Sequence, residues 1–269
     1  MQLKNKVTLI TGGASGIGRI MGRLSLERGA TLVIWDIDQK KIEDTLNEFQ
    51  KLGPVHAYLA DVSNTKIIKE TAHKVRKEVG IVDVLINNAG VVIGKYFAEH
   101  GTNEIGKTMD INALAPMYIT AEFLGDMINQ NSGHICNIAS AAGTVSNPKM
   151  SVYAASKWSV VGWSDSLRLE MLQLKKQIGV TTIMPYYIHT GMFDGVRSKL
   201  PILKPEKTAQ SIIRAIEKNK KLITIPAYMY RVTRLGQALM PIRFFDWFAG
   251  DFLGIYKTME HFTGHKNLK

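Results

Sequence analysis

Hydrophobic residues in this chain come in short unbroken runs separated by longer amphipathic stretches. The runs are Val7–Thr11, Thr31–Asp36, Val55–Leu59, Val82–Asn87, His134–Ala139 and Val180–Met184, with Leu222–Ile225 as a seventh. They are rich in Val, Ile and Leu, and apolar throughout instead of at every second position. That pattern predicts strands buried on both faces. Between them, helical spacing of apolar residues marks Arg19–Arg28, Gln39–Lys51, Thr65–Val79, Thr102–Asn129, Val152–Lys175 and Pro205–Asn219. Strand–helix–strand repetition predicts an α/β fold. The expected form is a doubly wound (Rossmann) parallel sheet of seven strands with helices on both faces. Residues 226–269 follow the last run and read as a C-terminal helical extension. No linker, repeat or low-complexity stretch divides the pattern, so residues 1–269 read as a single domain.

In such a sheet ligands bind beyond the carboxyl ends of the strands, so the residues just after each run carry the chemistry. The first run leads into Thr11-Gly12-Gly13-Ala14-Ser15-Gly16-Ile17-Gly18. A strand, a glycine turn and a helix in that order present backbone N–H groups and a helix N-terminus to a dinucleotide pyrophosphate. Side chains at Gly12, Gly16 or Gly18 would obstruct that approach or the packing of helix on strand, and Ser15 and Ile17 belong to the same cradle. Asp36, followed by Ile37, closes the second run. Its carboxylate suits the adenosine ribose hydroxyls and repels a 2′-phosphate, which favours NAD over NADP; the alternative is a helix cap. Asp61, followed by Val62, closes the third run and is placed for the adenine amino group or, equally, as a cap before Ser63. Asn87-Asn88-Ala89-Gly90 follows the fourth run and Ser140 the fifth. Tyr153 and Lys157, four apart, share one helix face. A free phenol has a pKa of about 10, and a neighbouring ammonium lowers it. The tyrosine can then take a proton from an alcohol as the carbinol hydride leaves to nicotinamide.

With Asn112 added, this ordered set resembles the short-chain dehydrogenase/reductase family over residues 3–226. The resemblance implies that Tyr153 is the acid/base and that Lys157 binds the nicotinamide ribose. It implies that Ser140 holds the substrate oxygen and that Asn112 supports a water relay. Thr190 matches the family threonine at the nicotinamide carboxamide, with Ile188 beside it. Pro185-Tyr186 departs from the Pro-Gly common in the family, which puts the local loop shape in question. His189-Thr190-Gly191-Met192-Phe193-Asp194-Gly195, then Leu203-Lys204-Pro205, resembles the branch of retinol dehydrogenases and lipid-droplet hydroxysteroid dehydrogenases. That branch implies a lid over residues 186–220 carrying Met192 and Phe193. It implies a retinoid, steroid or fatty-alcohol substrate and a homodimer or homotetramer. Two other readings stay open: a reductase of small polar or acyl-carrier carbonyls, and a non-catalytic NAD-sensing interaction protein.

Composition narrows the rest. The 269 residues carry a net charge of +11, but the lysines are scattered and no nucleic-acid motif accompanies them, so no nucleic-acid partner is expected. Cys136 is the single cysteine, which excludes an intramolecular disulfide, and it reads as a buried strand residue. The seven histidines show no metal-ligand spacing, so no metal is expected. From Ile225 to Tyr256 the chain is rich in aromatic and aliphatic residues, with Arg231, Arg234 and Arg243 among them. This suits a helix lying on a membrane surface, or one packed over the substrate pocket or against another subunit. No apolar run is long enough to span a bilayer, and the first run lies too near the start for a secretory leader. The expected location is cytoplasmic, with peripheral membrane contact through the C-terminal region.

Overall fold

A computed structural model describes residues 1–264, so the last five residues of the C-terminal extension lie outside it. Seven parallel strands form one sheet in the order β3-β2-β1-β4-β5-β6-β7. They are β1 Val7–Thr11, β2 Thr31–Asp36, β3 Val55–Leu59, β4 Val84–Asn87, β5 Gly133–Ile138, β6 Ile178–Pro185 and β7 Leu222–Ile225. The helices are α1 Gly16–Leu26, α2 Gln39–Phe49, α3 Thr65–Glu78, α4 Thr102–Met109, α5 Ala115–Asn129, α6 Ser151–Gln173, α7 Pro205–Glu217, α8 Met229–Leu239 and α9 Ile242–Asp246.

Successive residues of each central strand face opposite sides, which is why the runs are apolar throughout. Ile10, Ile34, Ile86 and Cys136 pack against Met21, Phe49 and Ile212 on the α1–α2–α7 side. Leu9, Val33, Leu85 and Ile135 pack against Ile68, Phe123 and Leu167 on the α3–α5–α6 side. Cys136 is fully buried in the strand, as its neighbours suggest.

Two differences from the expected elements have local causes. The stretch 102–129 is not one helix. A π-helical turn, Asp110–Leu114, separates α4 from α5, and Asn112 sits inside it. Helical periodicity survives a single wide turn, so the apolar pattern runs straight through it. β4 begins at Val84 instead of Val82 because Asp83 accepts hydrogen bonds from Lys6 Nζ and from the Val7 amide, tying the strand entry to β1. The strand order reverses direction at β1, whose neighbours are β2 and β4. That is the point where a doubly wound sheet opens a crevice.

Candidate active site

The glycine turn after β1 is held by the segment after β4. Thr11 Oγ1 accepts hydrogen bonds from the amides of Asn88 and Ala89, both at 3.0 Å. The Asn88 side-chain amide donates to the carbonyls of Thr11 at 2.9 Å and Gly12 at 3.1 Å. Gly12 and Gly16 have φ of 62° and 51°, where a side chain is strained. A Cβ on Gly18 would collide with the Gly12 carbonyl and come within 2.6 Å of Asn88 Nδ2. A Cβ on Gly16 would meet Thr190 at 3.7 Å, an ordinary van der Waals contact, so the positive φ and not crowding is what calls for glycine there. Ser15, at the N-terminus of α1, does not cap that helix with its hydroxyl. Its leading amides therefore point into a cradle roomy enough for phosphates.

Asp36 is 8% exposed and accepts hydrogen bonds from the amides of Ala14, Ile37 and Asp38. The cap of α2 is Asp38, which accepts from the Lys41 amide, so Asp36 is not the cap. Asp36 instead joins β2 to the glycine turn. Asp61 accepts from the amide and hydroxyl of Ser63 in a tight turn, and the cap of α3 is Asn64.

Tyr153 and Lys157 lie on the inner face of α6, each 5% exposed. Lys157 Nζ stands 5.7 Å from the centre of the Tyr153 ring and donates to the Ile138 carbonyl at 2.9 Å. Burial pushes the phenol up to about 12, and a hydrogen bond with Ser140 pulls the other way without overcoming it. Burial pulls the Lys157 amine down to about 8. The phenol therefore stands above its ordinary value instead of below it, because burial disfavours the anionic form.

Asn112 holds the frame behind this pair. Its side chain exchanges two hydrogen bonds of 2.8 Å with the Val91 backbone and donates to Ser156 Oγ at 3.2 Å. Ser156 in turn donates to the Tyr153 carbonyl. Gly90 passes between Asn112 and Lys157, where an added Cβ would lie 3.2 Å from Asn112 Oδ1 and 3.7 Å from Lys157 Nζ.

One cavity of about 430 Å³ joins these parts. Gly12, Ser15, Gly16 and Ile17 line one end, and Asn88, Ala89 and Gly90 line the next stretch. Ser140, Tyr153, Lys157, Ile188 and Thr190 surround the middle. Asn112 and Gly18 lie behind the wall; Asp36, Ile37, Asp61 and Val62 lie outside it. Ile37 projects into solvent and Val62 is buried. Beyond Tyr153 the walls turn apolar, with Met192, Phe193, Leu200, Met229, Phe248 and Leu253. Phe193 meets the Tyr153 ring edge-on at 6.1 Å and the Tyr187 ring at 5.0 Å. Met192 and Phe193 thus both face the cavity and pack on their own domain.

Sequence reasoning missed a second polar cluster. Asn147 donates to Tyr187 Oη at 3.1 Å and to Thr258 Oγ1 at 2.8 Å, and Tyr187 Oη lies 2.9 Å from Thr258 Oγ1. It fastens the C-terminal segment to the loop after Ser140. Residues more than a hundred positions apart carry no local signal of such a meeting. Tyr186 turns its hydroxyl to Ser198 Oγ at 2.9 Å, tying the end of β6 to the loop that precedes α7.

Comparison with known proteins settles the family. The family model described as short chain dehydrogenase matches residues 6–201. The chain belongs to the short-chain dehydrogenase family. Mouse (Mus musculus) epidermal retinol dehydrogenase 2 is 37% identical over 269 residues, covering 97% of this chain and 86% of the relative. Human (Homo sapiens) 17-beta-hydroxysteroid dehydrogenase 13 is 36% identical over 241 residues, covering 88% and 80%. A short-chain dehydrogenase/reductase from Burkholderia phymatum, solved in complex with NAD, superposes with a TM-score of 0.82. It is 25% identical, with 88% of this chain and 95% of that chain covered. This short-chain dehydrogenase is an oxidoreductase acting on CH–OH groups and using a nicotinamide cofactor.

Proposed function

We propose that this short-chain dehydrogenase interconverts a bulky apolar alcohol and its carbonyl, with NAD in preference to NADP. The observation that carries the reading is the single cavity that runs from the glycine cradle, past Tyr153, into an apolar chamber. A chamber walled by Met, Phe and Leu gains affinity from apolar substrate surface and offers a sugar or thioester carrier few partners. Relatives named for retinol and hydroxysteroids support the same class.

The residues present fit a dinucleotide. Gly12, Ser15, Gly16 and Ile17 line the cavity and leave uncapped helix amides for the pyrophosphate, and Asp36 sits beside the turn for the ribose hydroxyls. Lys157 and Thr190 would hold the nicotinamide end. When bound, the cofactor accepts or returns the carbinol hydride. Tyr153 then handles the proton at its Oη. Ser140, which lines the cavity together with Tyr153, would orient the substrate oxygen. Lys157 supplies positive charge below the ring, and Asn112 keeps α6 and the strand exit in register. The burial of Tyr153 and Lys157 keeps both groups in surroundings where such electrostatic contacts are stronger than in water. The reading also includes a homodimer or homotetramer and peripheral contact with a membrane surface through the C-terminal segment.

The test is a panel of long-chain, retinoid and steroid alcohols, with NAD and NADP in parallel, on the wild type and Tyr153→Phe. Wild-type turnover of the apolar alcohols with NAD is expected. The variant should lose turnover by on the order of 10³-fold while its NADH affinity changes little. Retained turnover in Tyr153→Phe would remove the tyrosine from this role.

A further inference from the structure

The last described helices present an apolar face that the fold does not cover. Tyr228, the cap of α8, and Val232, Leu235 and Leu239 on the helix recur at spacings of four, three and four, which places them on one stripe. All four are more than half exposed, Leu239 at 78%. The stripe that packs inward is a different one, Met229 and Thr233. The face continues through Ile242, 76% exposed, and then Phe244, Trp247 and Phe252. Exposed apolar side chains on this scale mark an interaction site, since scattered single ones would need no explanation.

Two further observations say what covers it. Arg231 and Arg243 belong to the same two helices, Arg234 lays its guanidinium over the Tyr230 ring at 5.6 Å, and among the described residues none of the three joins an ion pair. Arginine and tryptophan around an aliphatic stripe are the composition of helices that lie in a headgroup layer, where anionic lipid draws the basic residues. Tyr228 and Val232 also line the substrate cavity, so the chamber and the exposed stripe share a rim. We propose that α8 and α9 seat on an anionic lipid surface and that the substrate chamber opens into it. An apolar alcohol would then pass from the lipid to Tyr153 without crossing water. The idea rests on the apolar-substrate reading above and adds the route of delivery.

The experiment uses vesicles of phosphatidylcholine with or without phosphatidylglycerol, loaded with a long-chain alcohol, alongside a short water-soluble alcohol without vesicles. Wild type should float with the phosphatidylglycerol vesicles and less with phosphatidylcholine alone. The triple variant Leu235→Glu, Leu239→Glu, Ile242→Glu touches neither the cavity nor the reacting groups. It should bind vesicles at least about 100-fold more weakly, keep its rate on the soluble alcohol and lose most of its rate on the vesicle-borne one. Arg231→Ser with Arg234→Ser should bind both vesicle types alike. Wild type that stays in solution overturns the proposal, as does a triple variant that oxidises vesicle-borne alcohol like wild type. Failure to bind vesicles, joined to loss of a self-associated state in the triple variant, also overturns it and assigns the face to a second copy. Vesicle binding without turnover of any alcohol would leave the docking surface standing and sink the functional reading instead.

Discussion

Lys157→Met should make the protein more stable and inactive at once, and the gain should depend on pH in a way the structure dictates. The amine is 5% exposed and its pKa falls from 10.5 to about 8 through burial alone. The unfolded chain therefore binds a proton more tightly than the native one between those values. Stability contributed by this group is present above 10.5 and is lost as pH falls through 8. The 2.5-unit difference amounts to about 3 kcal/mol of destabilisation at neutral pH. Methionine fills similar space without charge but gives up the 2.9 Å hydrogen bond to the Ile138 carbonyl, worth about 1 kcal/mol. The net gain is about 2 kcal/mol at pH 7, about 1 kcal/mol at pH 9 and nothing near pH 10. Urea unfolding followed by tryptophan fluorescence at those three pH values measures it, and the melting temperature at pH 7 should rise by about 4–8 °C. Alcohol turnover should be lost in the same variant. If Lys157→Met is less stable than wild type by a constant amount at every pH, the buried amine is not bearing a charge and the electrostatic account fails.

Other outcomes follow from the glycine turn and its neighbours. Gly18→Ala forces a methyl group onto the Gly12 carbonyl and Asn88, and should cost about 2–3 kcal/mol of stability and at least about tenfold in dinucleotide affinity by fluorescence titration. Gly125→Ala on α5, where nothing lies within 4 Å of the new Cβ, should instead stabilise by about 1 kcal/mol and leave cofactor binding alone. Asp36→Asn keeps an acceptor for the Ala14 amide but removes the charge, so the ratio of NAD to NADP affinity by calorimetry should fall by about tenfold or more. An unchanged ratio would take cofactor choice away from this residue.

The strands were legible because burial on both faces puts apolar residues at consecutive positions of the central runs, not at every second one. Ile10, Ile34, Ile86 and Cys136 on one side and Leu9, Val33, Leu85 and Ile135 on the other are the physical reason. The glycine turn was legible because Gly12 and Gly18 answer to backbone contacts that any side chain would break. The π-helical turn at Asn112 was not legible, since it changes hydrogen-bond spacing without disturbing the apolar pattern. The Asn147–Tyr187–Thr258 cluster was not legible either, because it joins three segments that only the tertiary fold brings together. The same holds for the tyrosine's acidity. Spacing shows that an ammonium lies nearby but not how deeply the phenol is buried, and burial is what raises it.

The raised phenol has a consequence for direction. Burial keeps the phenol protonated up to about 12, so Tyr153 is poised to donate a proton, as carbonyl reduction requires. Alcohol oxidation requires it to accept one. At pH 8 the phenol lies about 4 units below its own pKa, and ionising it costs about 5 kcal/mol. Positive charge beside the ring is the remedy. Lys157 supplies part of it while protonated, and an oxidised nicotinamide supplies more than a reduced one. Oxidation should therefore accelerate with pH, by up to about tenfold per unit, whereas reduction between pH 6 and 8 should stay nearly flat. Initial rates in both directions on one alcohol–carbonyl pair, with cofactor saturating, make the comparison. Parallel profiles in the two directions would mean that proton transfer at Tyr153 does not limit either, and that its buried acidity has no bearing on the rate.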